Sequence, residues 1–213
     1  MVSVKIYVEG GGDSKSLQVQ CREGFRKLIE KLEFTGRMPA IVAGGSRAGA
    51  YDKFSTAAAQ HDPGLYPILL VDSEEPVEES AGSPDAPVAW NHLHSYDKWE
   101  RPAGADNDQA QLMVTCMETW IMADHGALQT ACGSRLQVSA LMPADAYLEA
   151  RSPHEVQQAL GHATRNCGSG QIYRKGHRSF ELLGKLNPQS LKAHLSHFRR
   201  FVATLERHLG QSQ

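Results

Sequence analysis

The sequence lacks the features that define several common classes of protein. Its four cysteines are widely separated and form no CxxC pair, so neither a disulfide framework nor a zinc knuckle is expected. No apolar run reaches the ~18 residues that a membrane span requires, and the first residues lack the basic and apolar regions of a signal peptide. These absences predict a reduced, cytoplasmic protein without a membrane span, in which each cysteine is a small buried hydrophobic residue.

Two further absences, of net positive charge and of several catalytic motifs, narrow the range of possible functions. The formal net charge is -2, so there is no overall excess of positive charge for nucleic acid, and such binding would depend on a local patch. The sequence contains neither the Walker phosphate-binding motif nor GxSxG, and its histidines form no HExxH pattern. P-loop nucleotide binding, serine hydrolysis and a histidine zinc site are therefore not supported.

The first third of the chain alternates between strand and helix patterns. Residues 2–8 are rich in β-branched types and predict a strand, and residues 39–43 predict a second one. Residues 66–72 form an apolar run that ends in an acid, which is typical of a central parallel strand buried on both faces. A helix is predicted after the first strand, and another over about 50–60. This order predicts an α/β fold with a parallel sheet flanked by helices.

The rest of the chain predicts a long loop followed by helices. The loop covers residues 75–108, and a helix is expected from about Asp108. Ser152-Pro153 predicts the start of another helix, and Asn187-Pro188 predicts the start of the last one. We interpret an apolar stripe on this last helix as core packing, with an exposed partner-binding seam as the alternative. The residues of the stripe are Leu191, Leu195, Phe198, Val202, Leu205 and Leu209.

Acidic residues follow two of the predicted strands. Glu9 ends the first strand and precedes three glycines and Asp13, while Asp72 and Glu74 end the third. Because the carboxyl ends of parallel strands meet at one edge of a sheet, we expect these acids to lie together. Four carboxylates would repel each other without a cation, and hard oxygen ligands suit Mg²⁺ or Mn²⁺. Asp13 has an alternative role as the cap of the next helix, which Ser14 could also fill.

Later residues add one acid and several cations to the candidate site. Glu118 lies among apolar residues on a predicted helix and is a candidate ligand, with a surface glutamate as the alternative. Residues 173–178 contain a basic cluster, from which a lysine or arginine aimed at the acids could stabilise a phosphoryl transition state. An ordinary solvated loop is the alternative for this cluster. The candidate contacts to a substrate are Arg47, Arg174 and Arg178.

These motifs together resemble the TOPRIM domain, which topoisomerases, primases, recombination mediators and OLD-type nucleases share. The similarity lies in a hydrophobic strand followed by Glu-Gly-x-x-Asp, here residues 9–13, and a later strand ending in Asp-x-Glu, here residues 72–74. The resemblance implies a compact parallel sheet that is flanked by helices and holds Mg²⁺. We assign this core to residues 1–125, with residues 126–213 as a helical C-terminal extension packed on it.

Further stretches resemble a family of small bacterial TOPRIM-like proteins, and this similarity extends over nearly the whole chain. The stretches include Trp90–Leu93, Trp99–Pro102, Met117–Asp124 and Tyr173–Gly176. Members of the family are often encoded beside an ABC- or AAA-type ATPase in phage-defence or OLD-like systems. The resemblance therefore implies a partner ATPase encoded nearby.

OLD-type nucleases order their site residues in four motifs that can be placed on this sequence. Cys116 stands where the third motif has serine, and this departure weakens the assignment of a second metal ion. The positions that match are, in order, Glu9 with Asp13, Asp72 with Glu74, Glu118, and Lys175.

The resulting expectation is a nuclease that uses one or two Mg²⁺ or Mn²⁺ ions to cut DNA or RNA by attack of water. Glu9, Asp72 and Glu74 would bind the main ion, and Asp13 and Glu118 would assist a second one. Lys175 would stabilise the transition state, so Glu9 and Lys175 are the candidate catalytic residues. The alternative is a non-catalytic TOPRIM-fold subunit that binds a partner ATPase, and a homo-oligomer is compatible with either.

Overall fold

The computed structural model describes residues 3–77, 83–144, 147–168 and 170–210. In this part of the chain four strands form one parallel sheet in the order β2-β1-β3-β4. The α/β fold with a parallel sheet flanked by helices is therefore confirmed. The strands are β1 (Ser3–Gly11), β2 (Ala40–Gly45), β3 (Leu65–Asp72) and β4 (Ala110–Met113).

Helices connect the strands and make up most of the C-terminal part. The helices are α1 (Lys15–Glu30), α2 (Arg47–Ala59), α3 (Val88–Asp97), α4 (Met117–Ala123), α5 (His125–Cys132), α6 (Pro153–Thr164), α7 (His177–Leu183), α8 (Pro188–His194) and α9 (Ser196–Leu209). None of these described helices is long and apolar enough to cross a bilayer.

Side chains of the central strand β3 alternate between the two faces of the sheet. Ile68 and Leu70 belong to a cluster that also contains the apolar residues of α1 and of the C-terminal helices. Leu69 and Val71 belong to a second cluster, which α2 and α3 complete. Both faces of β3 are thus buried, as the continuous apolar run predicts. The polar residues that could form a site therefore lie at the carboxyl ends of the strands.

The helices after residue 125 share their core with the sheet-bearing part of the chain. Trp120 on α4 packs edge-on against Phe25 of α1 at 6.3 Å between ring centroids. The same indole contacts Phe198 of α9 at 4.9 Å and Phe201 at 6.1 Å. The described helices of the C-terminal part therefore contribute directly to the core beneath the sheet.

The secondary structure between residues 75 and 123 differs from the sequence prediction in two places. The predicted loop over residues 75–108 contains α3 (Val88–Asp97), and its residues 78–82 lie outside the described part. The helix expected from about Asp108 is instead a short 3₁₀ turn, the strand β4 and then α4. A fully buried four-residue strand shows no alternation of polar and apolar residues, so sequence periodicity could not separate it from a buried helix.

The last helix is also interrupted, because Leu195 has an extended backbone and separates α8 from α9. The carboxylate of Glu149 accepts hydrogen bonds from the backbone N–H groups of Ser196 at 3.0 Å and His197 at 2.9 Å. These contacts satisfy donors that a helix start leaves free. The six apolar residues of the stripe are buried, so the interpretation as core packing is confirmed.

All four cysteines are buried and free, as expected.

Candidate metal centre

Three carboxylates meet at the carboxyl edge of the sheet. Glu9 lies near the end of β1, Asp72 is the last residue of β3, and Glu74 follows two residues later. One oxygen from each of the three groups lies within 4.8 Å of the others. The structure therefore brings together the acids that the strand ends predict. Asp13 is exposed and does not belong to this cluster.

The glycine loop after β1 needs backbone conformations that other residues rarely adopt. Gly11 has φ +90°, and a Cβ there would lie 2.7 Å from the Cα of Gln18 on α1. The Gln18 side-chain amide donates to the carbonyl of Gly12 at 2.8 Å and holds the turn against the helix. Ser14, rather than Asp13, caps α1 by accepting from the N–H of Leu17. The chain thus turns tightly after β1, and Glu9 at this edge of the sheet is not covered by the turn.

Backbone groups orient the two acids at the end of β3. The N–H of Met117, at the start of α4, donates to Asp72 Oδ1 at 2.8 Å, and the N–H of Asp72 donates to Glu9 Oε2 at 3.3 Å. Glu74 has φ +65°, and its N–H donates to the carbonyl of Thr115 at 2.8 Å. The chain therefore turns abruptly after β3 and keeps Glu74 beside Asp72.

Burial and repulsion between carboxylates make Glu9 and Asp72 costly to ionise. Burial, followed by the neighbouring charges of Glu9 and Glu118, raises the pKa of Asp72 well above its usual value. Burial also raises the pKa of Glu9, although Arg47 partly offsets this effect. A cluster with this property is stabilised by a bound cation, which favours the ionised forms.

Arg47, a candidate substrate contact, is instead held among the acids. Its guanidinium makes two hydrogen bonds with the carboxylate of Asp97, at 2.8 and 2.7 Å, and lies 3.6 Å from Glu9 Oε2. It also donates to the carbonyl of Asp72 and lies over the ring of Trp99 at 5.2 Å from its centroid. Arg47 therefore has the geometry of a positioning residue for Glu9, and a direct contact with substrate stays a prediction.

Lys175 lines the same cavity as Glu9 and Asp72. Burial alone would lower the pKa of its ammonium group, but the carboxylates of Glu118, Asp72 and Glu74 outweigh that effect and raise it. The predicted proximity of this lysine to the acids is present in the structure. The structure thus places one positive charge in the lining of a cavity that is otherwise acidic.

Glu118 is fully buried and lies in the wall of the cavity. Its Oε1 accepts from the hydroxyl of Tyr173 and lies 3.5 Å from the Ser179 hydroxyl. Its Oε2 is shielded from solvent and has no hydrogen-bond partner within the described part of the chain. A surface glutamate is therefore the wrong alternative, and a buried carboxylate oxygen without a partner fits a site that receives a cation.

The cavity in front of the acids has a volume of about 340 Å³. It is lined by Glu9, Asp72, Glu118 and Lys175, with Asp13 on the side of the glycine loop. Since the carboxylates among these residues offer hard, anionic oxygens, they suit Mg²⁺ or Mn²⁺ rather than a soft metal. The residues present fit a divalent cation at the position of the three clustered acids.

Two of the basic residues do not reach this cavity in the structure. Arg174 is exposed. Arg178, predicted to contact substrate beside the acids, lies in a separate cleft and forms an ion pair with Glu181 at 2.7 Å. The reason is helical geometry: α7 begins at His177, and successive helical side chains point in directions about 100° apart. Ser179 therefore faces the cavity of the acids and Arg178 does not.

Three residues of the site were not predicted from the sequence. Tyr173 and Ser179 hold Glu118, and Asp97 holds Arg47. Tyr173 lies in the segment 173–178, from which only the cations were assigned a role, Ser179 follows that segment directly, and Asp97 ends a helix that was predicted to be a loop. Buried partners of this kind produce no sequence spacing that could reveal them.

The fold and the site together define an α/β protein with an acidic centre at the carboxyl edge of a parallel sheet. Residues 8–206 match the family described as "Domain of unknown function (DUF4276)". Because this match covers most of the chain, the protein belongs to that family. The comparisons with curated proteins and with solved structures gave no match.

Proposed function

We propose that this protein is a Mg²⁺- or Mn²⁺-dependent nuclease that hydrolyses phosphodiester bonds of DNA or RNA. The observation that carries the proposal is the approach of Glu9, Asp72 and Glu74 to within 4.8 Å at the end of a parallel sheet. The cavity in front of them also contains a lysine and a buried glutamate oxygen without a partner. Acids for a cation and a charge for phosphate are thus present in one place.

Each residue of the cavity has a defined task in this proposal. Glu9, Asp72 and Glu74 would hold the main ion, which when bound supplies an acidified water and neutralises phosphate charge. Lys175 would bind a phosphate oxygen and stabilise the charge that develops there. Arg47 would fix the carboxylate of Glu9, because it is itself fixed by the two hydrogen bonds to Asp97.

Glu118 and Asp13 would assist a second ion. The free Oε2 of Glu118 supports this role, since its other oxygen is already held by Tyr173. Asp13 is exposed at the mouth of the cavity and could approach an ion there. Cys116 adds no ligand in the present geometry, because it is buried with its thiol 3.8 Å from the Thr119 hydroxyl.

The biological setting is proposed from the resemblance to TOPRIM and OLD-type proteins. In that setting the chain is a cytoplasmic effector of an ABC- or AAA-type ATPase in phage defence, acting as a monomer or a homo-oligomer. The apolar stripe of α8 and α9 is buried, so a partner would need another surface.

The test is cleavage of plasmid DNA, single-stranded DNA and tRNA by the purified chain with Mn²⁺, with and without the ATPase encoded nearby. We expect cleavage by the wild type, loss of it in Glu9→Gln and Asp72→Asn, and no change in Glu75→Gln. Glu75 is the matched control because it is exposed and does not line the cavity. Equal cleavage by all four proteins would contradict the proposal. An intact complex with the ATPase that never cleaves would favour the non-catalytic subunit instead.

A further inference from the structure

A second cleft lies apart from the acidic cavity and is lined mainly by polar and basic groups. It has a volume of about 620 Å³ and is bordered by the turn Gly133–Arg135, by Gly168 and by residues 170–171. None of its lining residues lines the cavity of the acids. The metal centre therefore does not account for this cleft.

Arg178 is the central feature of the cleft, because two of its three guanidinium nitrogens have no partner among the described residues. The residue is 7 % exposed, and its Nη1 donates to Glu181 Oε2 at 2.7 Å. Its Nε and Nη2 are shielded from solvent and have no partner among the described residues. These two nitrogens form one edge of the guanidinium, and such an edge donates two parallel hydrogen bonds to a phosphate or carboxylate. A buried pair of unused donors points to an acceptor that binds there.

The net positive charge of the cleft lining favours a doubly charged anion over a singly charged one. Arg178, Arg135 and Lys185 bring three cations to the lining, and Glu181 is the one carboxylate among its described residues. Glu181 is bonded to both Arg178 and Lys185, at 2.7 and 2.6 Å. Two positive charges therefore remain without a counter-charge in the lining. A phosphate monoester carries close to two negative charges near neutral pH, whereas a phosphodiester carries one.

We propose that this cleft binds a phosphate monoester, with Arg178, Arg135 and Lys185 supplying the positive charge and with the Nε–Nη2 edge of Arg178 turning toward two phosphate oxygens as the ligand displaces the groups that cover it. The ligand is either a small phosphorylated molecule or the terminal phosphate of a nucleic acid. The proposal is independent of the nuclease assignment, because it uses none of the residues of the metal centre.

The test is calorimetric titration of the whole protein in EDTA at about pH 8, where the monoester is a dianion. The probes are AMP, a 5′-phosphorylated oligonucleotide and the same oligonucleotide with a 5′-hydroxyl. We expect at least one phosphorylated probe to bind and the 5′-hydroxyl form to bind at least about tenfold more weakly. Binding of AMP alone would identify a small ligand, and binding of the phosphorylated oligonucleotide alone would identify a nucleic-acid end.

Variants separate the cleft from general surface charge. Arg178→Lys keeps the positive charge but removes the planar guanidinium that can donate two parallel hydrogen bonds. Arg135→Gln removes the charge of an exposed residue that lies outside the core. Both should weaken binding at least about tenfold, whereas Arg165→Gln, an exposed control outside the cleft, should bind as the wild type does. If Arg178→Lys does not fold, Arg135→Gln still decides the question. Failure of both phosphorylated probes, equal binding of the 5′-hydroxyl form, or unchanged affinity in the cleft variants would overturn the proposal.

Discussion

At the scale of single residues, the candidate metal centre is a cluster of carboxylates whose ionised forms the fold does not fully stabilise. Asp72 is 6 % exposed and Glu118 is fully buried. The pKa of Asp72 is raised by burial first and by the charges of Glu9 and Glu118 second. A raised carboxyl pKa means that the stability present at low pH is lost as the pH rises and the group ionises. The ionised centre therefore lowers the stability of the metal-free protein.

Removing the charge of Asp72 should relieve this cost. In Asp72→Asn the amide oxygen can still accept from the N–H of Met117, which donates to Asp72 Oδ1 in the wild type. We expect the metal-free variant to be more stable by about 1 to 2 kcal/mol, a rise in Tm of roughly 2 to 8 °C. Calorimetric unfolding in EDTA at neutral pH measures the change. Glu75→Gln is the control and should stay within about 0.5 kcal/mol, and a destabilised Asp72→Asn would contradict the electrostatic account.

The residues of the site differ in how far the sequence could predict them. Glu9 and Asp72 end apolar strands, and the parallel order then places them at one edge, so they were predictable from local patterns. Tyr173 and Asp97 act through hydrogen bonds with Glu118 and Arg47, which are distant in sequence, and no local pattern reveals such pairs. Arg178 was predicted next to the acids and lies elsewhere, because its direction depends on where α7 begins.

At the scale of elements, the start of α9 depends on the side chain of Glu149, which is distant in sequence. Glu149 accepts from the N–H groups of Ser196 and His197 and from the Ser196 hydroxyl at 2.6 Å. A continuous helix through Leu195 was a reasonable prediction from the apolar spacing. The long-range cap explains why the helix is divided there, and only the folded chain shows it.

Removing this cap should destabilise the protein. Glu149→Ala leaves the N–H groups of Ser196 and His197 without their acceptor, and we expect a loss of about 1 to 2 kcal/mol. Urea denaturation followed by circular dichroism measures the free energy of unfolding. Glu75→Ala, at an exposed position, is the matched control. An unchanged midpoint in Glu149→Ala would show that water replaces the carboxylate at no cost.

The same helix contains a histidine that should make stability depend on pH. Burial, followed by the charges of Arg200 and His92, lowers the pKa of His197 to about 4. A histidine with a lowered pKa stays neutral in the folded protein, so its contribution is present above the unfolded pKa and lost as the pH falls. The relevant interval runs from about 6.5 to about 4.

Over that interval the wild type should lose up to about 3 kcal/mol of stability through this one group. His197→Gln removes the titrating ring and should lose less over the same interval. The measurement is the free energy of unfolding by urea at several pH values between the two limits. Parallel pH profiles for the two proteins would contradict the assignment to His197.

The elements that the sequence predicted well are those with a strong local signal. The strands β1, β2 and β3 and the capped helix α6 follow from apolar runs, glycine turns and the Ser152 and Glu155 capping box. The helix α3 begins at Val88, directly after Pro87, which provides no side-chain cap, and it lies within a stretch rich in proline. Its signal was therefore hidden, although Trp90 and Leu93 have helical spacing and are buried.

At the scale of the whole molecule, the acidic cavity and the basic cleft are separate but border on the same C-terminal segment. The division into residues 1–125 and 126–213 stays a prediction, but the described helices of both parts share the cluster around Trp120. The segment from Tyr173 to Glu181 contributes to both the acidic cavity and the basic cleft. The C-terminal part therefore completes the lining of the acidic cavity, whereas the three clustered acids all lie at the strand ends.

The most direct test of the central claim is the affinity for Mn²⁺, measured by calorimetry on the wild type and on Glu9→Gln, Asp72→Asn, Glu74→Gln and Glu75→Gln. The three clustered acids lie within 4.8 Å of one another, whereas Glu75 is an exposed neighbour outside the cluster. We predict that the wild type and Glu75→Gln bind Mn²⁺ equally, and that each of the other three binds at least about tenfold more weakly. The same affinity in all five proteins would contradict the assignment of a metal centre to these carboxylates.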